Sequence, residues 1–505
     1  MSTNLCNIEN DIKLKLKKLK NGTDIRGIAI ETKEHKESLT PEIISLIGRG
    51  FSKWLKNITT SRTNLKVAIG MDSRLSGPNL KDSLIEALTT DGINIYDCGI
   101  STTPSMFMTT VLEDYKCDGA IMITASHLPY YYNGLKFFTP VGGCEKEDID
   151  EILNLANTQE KSSLEFEKGE VKKVNLIEDY SKILVYKVRN SVNTEKPLEG
   201  SKIIVDAGNG AGGFFAYKVL KELGADTEGS QYLEPDGTFP NHIPNPENKE
   251  AMESIKNAVL NSKADLGIIF DTDVDRAAIV SKTGEQINKN SLIALMSSIV
   301  LKENQGATIV TDSITSTGLG EFITNLGGVH HRFKRGYKNV INEAKKLNEE
   351  GISSPLAIET SGHAALRENY FLDDGAYLIV KILIEMSKLK KDHKDIAYLI
   401  KNLNHPLESE EKRIKIKCDD FNTYGGSVIE DLRGYVSNIK GWSIEPKNYE
   451  GIKINCDKEK GWFLLRVSLH EPLLVLNIES HVKDGVKNIF SHIEIFINNY
   501  NKLVL

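Results

Sequence analysis

Residues 265 to 276, Asp-Leu-Gly-Ile-Ile-Phe-Asp-Thr-Asp-Val-Asp-Arg, run an apolar strand-like segment straight into three carboxylates two residues apart, closed by an arginine. A buried strand can end this way only where its end opens on something that neutralises the charge. In an extended loop Asp271, Asp273 and Asp275 all project to one side, because successive side chains of an extended chain alternate. Anions so close repel one another, and Arg276 alone cannot balance three. The segment is therefore read as a site for a divalent cation.

An EF-hand also begins Asp-x-Asp-x-Asp, but it requires Gly at the sixth position and Glu at the twelfth, where this chain has Arg276 and Lys282. Two readings with chemistry stay open beside that of an acidic surface turn. An apolar strand followed by Asp-x-Asp resembles the first motif of haloacid-dehalogenase-type phosphatases, with Asp271 as nucleophile. The same residues also suit a Mg²⁺ clamp for phosphoryl transfer, in which carboxylate oxygens hold the cation and one position is kept for a phosphate oxygen.

At roughly 100 to 200 residues per domain, 505 residues make about three to five domains. Strand-like runs precede amphipathic stretches at Lys66 to Gly70 with Leu80 to Leu88, Lys202 to Val205 with Phe214 to Leu223, and Ala307 to Val310 with Leu319 to Leu326. That alternation is the α/β signature, met three times. Beyond about residue 405 the pattern changes to strands (Lys412 to Lys417, Trp462 to Val467, Leu473 to Ile478) mixed with helices, an α+β composition. Linkers are read at Arg189 to Glu199, Gly284 to Asn290 and Asn402 to Glu411, dividing the chain into 1–190, 191–288, 289–404 and 405–505.

With 26% charged residues and a net charge of −7, the chain is neither disordered nor a nucleic-acid binder, and an anionic substrate must be met by local Arg, Lys or metal. Its longest apolar stretches fall far below the ~20 residues that span a bilayer, so no membrane partner is expected. The six cysteines contain no CxxC pair, which implies free thiols and a reducing, cytoplasmic setting. The N-terminal lysines 13, 15, 17, 18 and 20 read as a solvated arm or edge. The sequon Asn57-Ile58-Thr59 carries no meaning without a secretory signal.

Three further segments carry polar groups at the ends of short apolar runs. Ala120 to Ile123 leads into Thr124-Ala125-Ser126-His127-Leu128-Pro129 and Asn133-Gly134-Leu135-Lys136, where Ser126 is a natural nucleophile with His127 and Lys136 as proton acceptor and fixed cation. An ordinary Ser/Thr turn explains the same residues. In Ala357-Ile358-Glu359-Thr360-Ser361-Gly362-His363, Glu359 and Ser361 face one way and suit vicinal sugar hydroxyls, with a helix N-cap turn as the plainer account. Arg466-Val467-Ser468-Leu469-His470-Glu471-Pro472 combines a guanidinium and a hydroxyl in a turn, which suits a phosphate dianion, although exposed loops of this composition are common. Gly208-Asn209-Gly210-Ala211-Gly212-Gly213 satisfies the dinucleotide pattern GxGxxG, but Asp206 would face the pyrophosphate, so a tight strand-to-helix turn is the reading.

Taken together these segments resemble the α-D-phosphohexomutase family, the phosphoglucomutase/phosphomannomutase and phosphoglucosamine mutase enzymes, over nearly the whole chain. Gly22-Thr23-Asp24-Ile25-Arg26-Gly27 and Gly70-Met71-Asp72-Ser73-Arg74-Leu75-Ser76 look like its N-terminal signatures, Thr124 to Lys136 like its phosphoserine loop, and Asp271 to Arg276 like its metal loop. Glu359 to His363 is similar to its sugar-discriminating loop and Arg466 to Pro472 to its phosphate-binding loop. The resemblance implies three related α/β domains and a C-terminal α+β domain around a central cleft. It implies an intramolecular phosphotransferase that interconverts hexose 1-phosphate and hexose 6-phosphate, of glucose and/or mannose, through a phosphoserine and a 1,6-bisphosphate.

The resemblance also assigns roles. Ser126 would carry the phosphoryl group, and Asp271, Asp273, Asp275 and a phosphoserine oxygen would hold Mg²⁺. Arg26, Lys136 and Arg276 would neutralise charge around it, with His127 and Lys136 as acid and base. Glu359, Ser361 and His363 would bind the sugar, and Arg466, Ser468, His470 and Lys338 the non-reacting phosphate. Ile358 stands where Gly is usual and His470 where Thr is usual; Leu469 replaces a small residue, and Val475 and Asn477 occupy a stretch that often carries a second arginine. The phosphate loop is thus expected to hold less fixed charge, some of it restored if His470 is protonated beside a dianion. The competing expectations are a phosphoglucosamine mutase, a haloacid-dehalogenase-like phosphatase, and a non-catalytic sugar-phosphate-binding relative.

Overall fold

Gly119–Ile123 and Leu266–Phe270 are buried at every one of their five residues, which makes each a central strand rather than a sheet edge. The computed structural model describes residues 12–59, 64–157, 167–468 and 471–505. They form two compact units, one holding the described residues up to Ile287 together with Leu372–Ile396, the other Asn288–Phe371 with Ala397–Leu505.

In the first unit one mixed sheet has the order Lys20–Asn21, Asp24–Ile28, Tyr132–Thr139, Gly119–Ile123, Lys66–Met71, Asn94–Ile100, Val171–Lys173. Helix Pro41–Ile58, opened by the Thr40 cap and Pro41, lays Ile44, Ile47, Phe51 and Leu55 on this sheet, with Phe51 stacked on Phe137 at 5.1 Å. A second sheet orders Gln286–Ile287, Ala277–Ser281, Leu266–Phe270 and Ile203–Asp206, covered by Met252, Ile255 and Val259 of helix Lys249–Ser262. The N-terminal lysines form a solvated edge rather than an arm: residues 12–18 are helical, Leu16 and Leu19 enter the core while Lys13, Lys15, Lys17 and Lys18 stay exposed, and Lys20 opens the strand at the sheet's edge. The helix expected over Phe214 to Leu223 is instead a 3₁₀ turn, Ala211–Gly213, followed by a π-helical Phe215–Leu220. Two glycines weaken the α start, and Phe215 settles on Phe270 at 5.2 Å.

In the second unit the strands Val329–Arg332, Thr308–Thr311 and Leu356–Ile358 run parallel, with Ala364–Leu366 antiparallel beside the last. The C-terminal part is a different construction. Its strands, in the order Trp442–Ile444, Ile452–Cys456, Gly461–Val467, Leu473–Ser480, Glu408–Ile416 and Leu503–Val504, are all antiparallel, as the change of pattern after residue 405 implied. One face, with Ile454, Phe463, Leu465, Leu476 and Ile478, packs on helices Phe421–Val436 and Gly485–Ile497.

Three of the singled-out segments share one topological address. Each follows a strand with a parallel neighbour and returns as an antiparallel strand, with first pairs Ile123↔Leu135, Phe270↔Ala277 and Ile358↔Ala364. Such a loop leaves the end of a buried strand, where its backbone is anchored on both sides and its side chains are free for chemistry. Among the described residues no helix is long and apolar enough to cross a membrane, and Cys98, Cys117, Cys144, Cys418 and Cys456 are free thiols.

Candidate active site

The three aspartates do gather, each offering an oxygen within 4.8 Å of the others, but not by extended alternation. Asp271–Asp275 is a turn in which Val274 N donates to Asp271 O at 3.4 Å, and fully buried Val274 has φ +65°. A β-branched residue in the left-handed region is strained, and the surroundings hold it there. Ala211 N donates to Thr272 O (2.8 Å), Thr103 N to Asp273 O (2.9 Å) and Gly375 N to Val274 O (3.1 Å). A Cβ on Gly210 would lie 2.7 Å from Thr272 O, so that glycine of the GxGxxG run admits this loop rather than a dinucleotide.

Ser126 also has a positive φ, +51°, in a buried turn whose amide donates to Thr124 Oγ1 (2.9 Å). Its Oγ lies 3.1 Å from Asp271 Oδ2, 3.0 Å from Arg276 Nη2 and 3.3 Å from His127 Nδ1. Arg276 is fully buried and reaches Asp271 Oδ2 through Nε at 2.9 Å and His127 Nδ1 through Nη2 at 2.8 Å. Burial disfavours its charge, but Asp271, Asp275, Glu247 and Asp273 outweigh that and raise its pKa. Lys136 Nζ, pointing off the antiparallel return strand, meets Asp273 Oδ2 at 3.0 Å and Asp275 Oδ2 at 2.5 Å. Arg26 is held by Asp24 (2.8 Å) and reaches Ala125 O at 3.5 Å. Ser126, His127, Lys136, Arg26, Arg276 and the three aspartates are thus neighbours.

Three carboxylates with two cations in contact leave a surplus of negative charge, and Asp273 Oδ1 is buried without a hydrogen bond. An all-carboxylate donor set with such an orphaned oxygen fits a hard divalent cation.

Arg74 carries chemistry that its place in a signature did not reveal. It is buried, pairs with Asp72 (3.2 Å), and donates to the carbonyls of Leu128 (2.7 Å), Pro129 (2.8 Å), Tyr132 (2.9 Å) and Ser126. Burial pushes the Asp72 carboxyl up to about 6, against the pull of Arg74 and of Thr124, whose hydroxyl it accepts at 2.7 Å. Thr103 Oγ1, at the start of helix Thr103–Val111, likewise donates to Asp273 Oδ2 (2.5 Å).

The sugar- and phosphate-loop candidates belong to the second unit. Glu359 Oε1 accepts from Gly336 N (2.6 Å) and Oε2 from Ser361 Oγ (3.2 Å); burial, then Asp312, push it up to about 7 against His363 and Arg335. Thr360 donates through N (3.1 Å) and Oγ1 (2.6 Å) to Asp312, which makes it a tie to the neighbouring strand end. His363 stacks on Tyr337 at 5.0 Å, and Lys338 follows in the first turn of helix Tyr337–Glu349. Ile358 is a core residue.

Arg466 is nearly buried, with Nε 3.6 Å from Glu450 Oε1; the other oxygen of Glu450 accepts from Ser313 Oγ (2.6 Å) and Arg335 N (2.9 Å). Glu450 is a second residue that no motif announced. Ser468 Oγ accepts from Glu471 N (3.3 Å), whereas Leu469 and His470 lie outside the described residues. The expected shortage of fixed charge is modified by register: Val475 pairs with Arg466 on one side and Arg413 on the other, so Arg413 shares the row. Arg413 reaches Glu471 in the loop at 3.1 Å. Asn477 donates to Glu411 at 3.2 Å.

Family models of phosphoglucomutase/phosphomannomutase α/β/α domains I, II and III match residues 17–163, 178–284 and 288–403. The phosphomannomutase/phosphoglucomutase of Pseudomonas aeruginosa is 31% identical over 92% of this chain and 92% of its own length. The phosphoglucomutase of Neisseria gonorrhoeae is 29% identical over 95% of this chain and 97% of its own. A crystal structure of a phosphoglucomutase/phosphomannomutase family protein from Burkholderia thailandensis superposes with a TM-score of 0.77 at 25% identity, covering 95% of this chain and 96% of that one.

Proposed function

We propose how this chain, which belongs to the α-D-phosphohexomutase family and is an isomerase of the phosphohexomutase type, performs its reaction: Ser126 carries a phosphoryl group between the 1- and 6-positions of glucose and/or mannose phosphates. The observation that carries this reading is Ser126 Oγ at 3.1 Å from Asp271 and 3.0 Å from Arg276. Phosphoryl transfer asks for charge neutralisation and alignment more than for covalent chemistry, and these neighbours supply both.

The bond from phosphorus to Ser126 Oγ breaks as one forms to the free sugar hydroxyl, whose proton passes to a nearby base while Ser126 Oγ takes up another. His127, 3.3 Å from Ser126 Oγ, is the candidate for that exchange, with Lys136 as the second. Arg276 donates to the oxygen that gains charge. Asp271, Asp273 and Asp275 would hold Mg²⁺, which when bound supplies Lewis-acid neutralisation of the phosphoryl oxygens. The 1,6-bisphosphate then turns, and its other phosphate returns to Ser126. Glu359 and Ser361 would bind sugar hydroxyls, Arg466, Ser468, Lys338 and Arg413 the non-reacting phosphate, within the four-domain division at about residues 190, 288 and 404.

The phosphatase reading loses its support, since Asp271 Oδ2 is engaged by Arg276 and Ser126 rather than open to a phosphorus. Intact mass tests the carrier: a species heavier by about 80 Da, absent from Ser126→Ala, is expected. A fully active Ser126→Ala overturns the reading. Turnover of glucose, mannose and glucosamine phosphates ranks the substrates, with glucosamine expected last.

A further inference from the structure

Between Gln231 and Asn248 the chain forms neither helix nor extended ladder, yet it is pinned along its length to the end of strand Ile203–Asp206 and to the glycine run behind the metal loop. Asn209 N donates to Tyr232 O (2.8 Å), Asn209 Nδ2 to Glu234 O (2.9 Å), Asp236 N to Asn209 O (2.9 Å) and Asn241 Nδ2 to Asn209 Oδ1 (2.7 Å). His242 Nε2 sits 3.0 Å from both oxygens of fully buried Asp206, which also accepts from Gln231 Nε2 at 2.7 Å. A Cβ on Gly208, at φ +51°, would lie 2.7 Å from Pro244 Cβ, so the glycine lets the strap come down at that point.

Immediately after Pro244 the strap delivers two acceptors to one guanidinium edge: Asn245 Oδ1 at 3.3 Å and Glu247 Oε2 at 3.8 Å from Arg276 Nη1. The guanidinium is planar and its donors form a rigid fork. With Nε on Asp271 at 2.9 Å and Nη1 on the strap, the direction of Nη2 is no longer adjustable, and it ends 3.0 Å from Ser126 Oγ. We infer that the Gln231–Asn248 strap is a positioning device for the reaction, with Asn245 as its principal positioning residue and Glu247 as its second, holding Arg276 aimed at the oxygen of the carrier serine. Neither residue touches that serine; both act through Arg276. The inference rests on the reading of Ser126 as carrier.

The test uses the 505-residue enzyme and measures steady-state turnover of glucose 1-phosphate together with the single-turnover rate of Ser126 phosphorylation by glucose 1,6-bisphosphate, followed by intact mass. Asn245→Ala lowers kcat and the phosphorylation rate by about tenfold to a hundredfold, as a misaimed group does, while KM stays within about twofold. Asn245→Asp, which keeps an acceptor oxygen on Arg276, recovers most of the loss. In an Arg276→Lys background, Asn245→Ala costs less than about twofold more, because the group it aims is gone. An Asn245→Ala enzyme with unchanged kcat, or a loss undiminished in the Arg276→Lys background, overturns the inference while Ser126→Ala remains inactive. An active Ser126→Ala instead overturns the carrier reading and takes the inference with it.

Discussion

The serine and aspartate loops of the first unit and the Glu359 loop of the second all leave a strand with a parallel neighbour and return antiparallel, yet their acidic side chains find different partners. Around Ser126 the groups hold one another: Lys136 spans Asp273 and Asp275, and Arg276 spans Asp271 and Ser126. In the second unit the carboxylates are shared mostly between main-chain amides and neutral hydroxyls: Glu359 accepts from Gly336 N and Ser361 Oγ, Asp312 from Thr360 N and Oγ1, and Glu450 from Arg335 N and Ser313 Oγ, with Arg466 beside it. Mutual charge gives a fixed electrostatic field whose parts fail together. Neutral partners of this kind leave less buried charge uncompensated when one is removed, so on the proposed reading substitutions there are expected to change affinity more than turnover.

Removing the carrier breaks the comparison most severely. Ser126→Ala is expected to lower kcat by on the order of 10⁴-fold or more, with intact mass and turnover as the paired measurements. Asp273→Ala comes next. It strips a contact from Lys136 and Thr103 at once, so kcat falls by on the order of 10²- to 10³-fold and chelation no longer changes the residual rate. In the parent enzyme a chelator is expected to abolish turnover and Mg²⁺ to restore it better than Ca²⁺, which prefers more ligands at longer distance; equal rescue by both would count against a tight carboxylate cage.

In the second unit the expected effects are smaller and fall on KM. Glu359→Gln raises KM by about tenfold or more, and it removes a pH dependence. Glu359, buried and facing Asp312, His363 and Arg335, has its pKa raised to about 7, so the carboxylate proposed to accept sugar hydroxyls is present above that pH and lost as the pH falls through it. KM therefore rises below about 7 in the parent and not in Glu359→Gln; parallel profiles would refute the assignment. Because the folded pKa lies above the ordinary carboxylate value, ionising Glu359 also disfavours the fold as pH rises, and thermal scans between pH 5 and 8 should be flatter in Glu359→Gln. Last, Arg413→Ala raises KM only a few-fold, about the worth of one exposed ion pair. A larger loss would show that Arg413 carries the charge that Val475 does not.

Much of this was legible because buried strands announce themselves by apolar runs and their loops by clustered polar residues. Asp271, Asp273, Asp275 and Ser126 all stand at such ends, and Lys136 follows within the return strand Tyr132–Thr139. Hidden were the residues that act across long sequence separations. Arg74 binds carbonyls more than fifty positions away, and Asn245 belongs to a proline-punctuated stretch with no periodicity to distinguish it from a linker. The aspartate loop was misread as extended because spacing of two is compatible with a strand and with a turn. The left-handed Val274 leaves no trace in composition. Arg413 became visible only through strand register, which no single sequence segment encodes.

Arg74 has one more implication. By clasping the carbonyls of Ser126, Leu128, Pro129 and Tyr132, it turns the serine loop into a stationary post. A post cannot swing toward either end of its cargo. On the proposed reading of Ser126 as carrier, the whole burden of symmetry then passes to the sugar, which must be legible to the same few side chains when presented head first and when presented tail first.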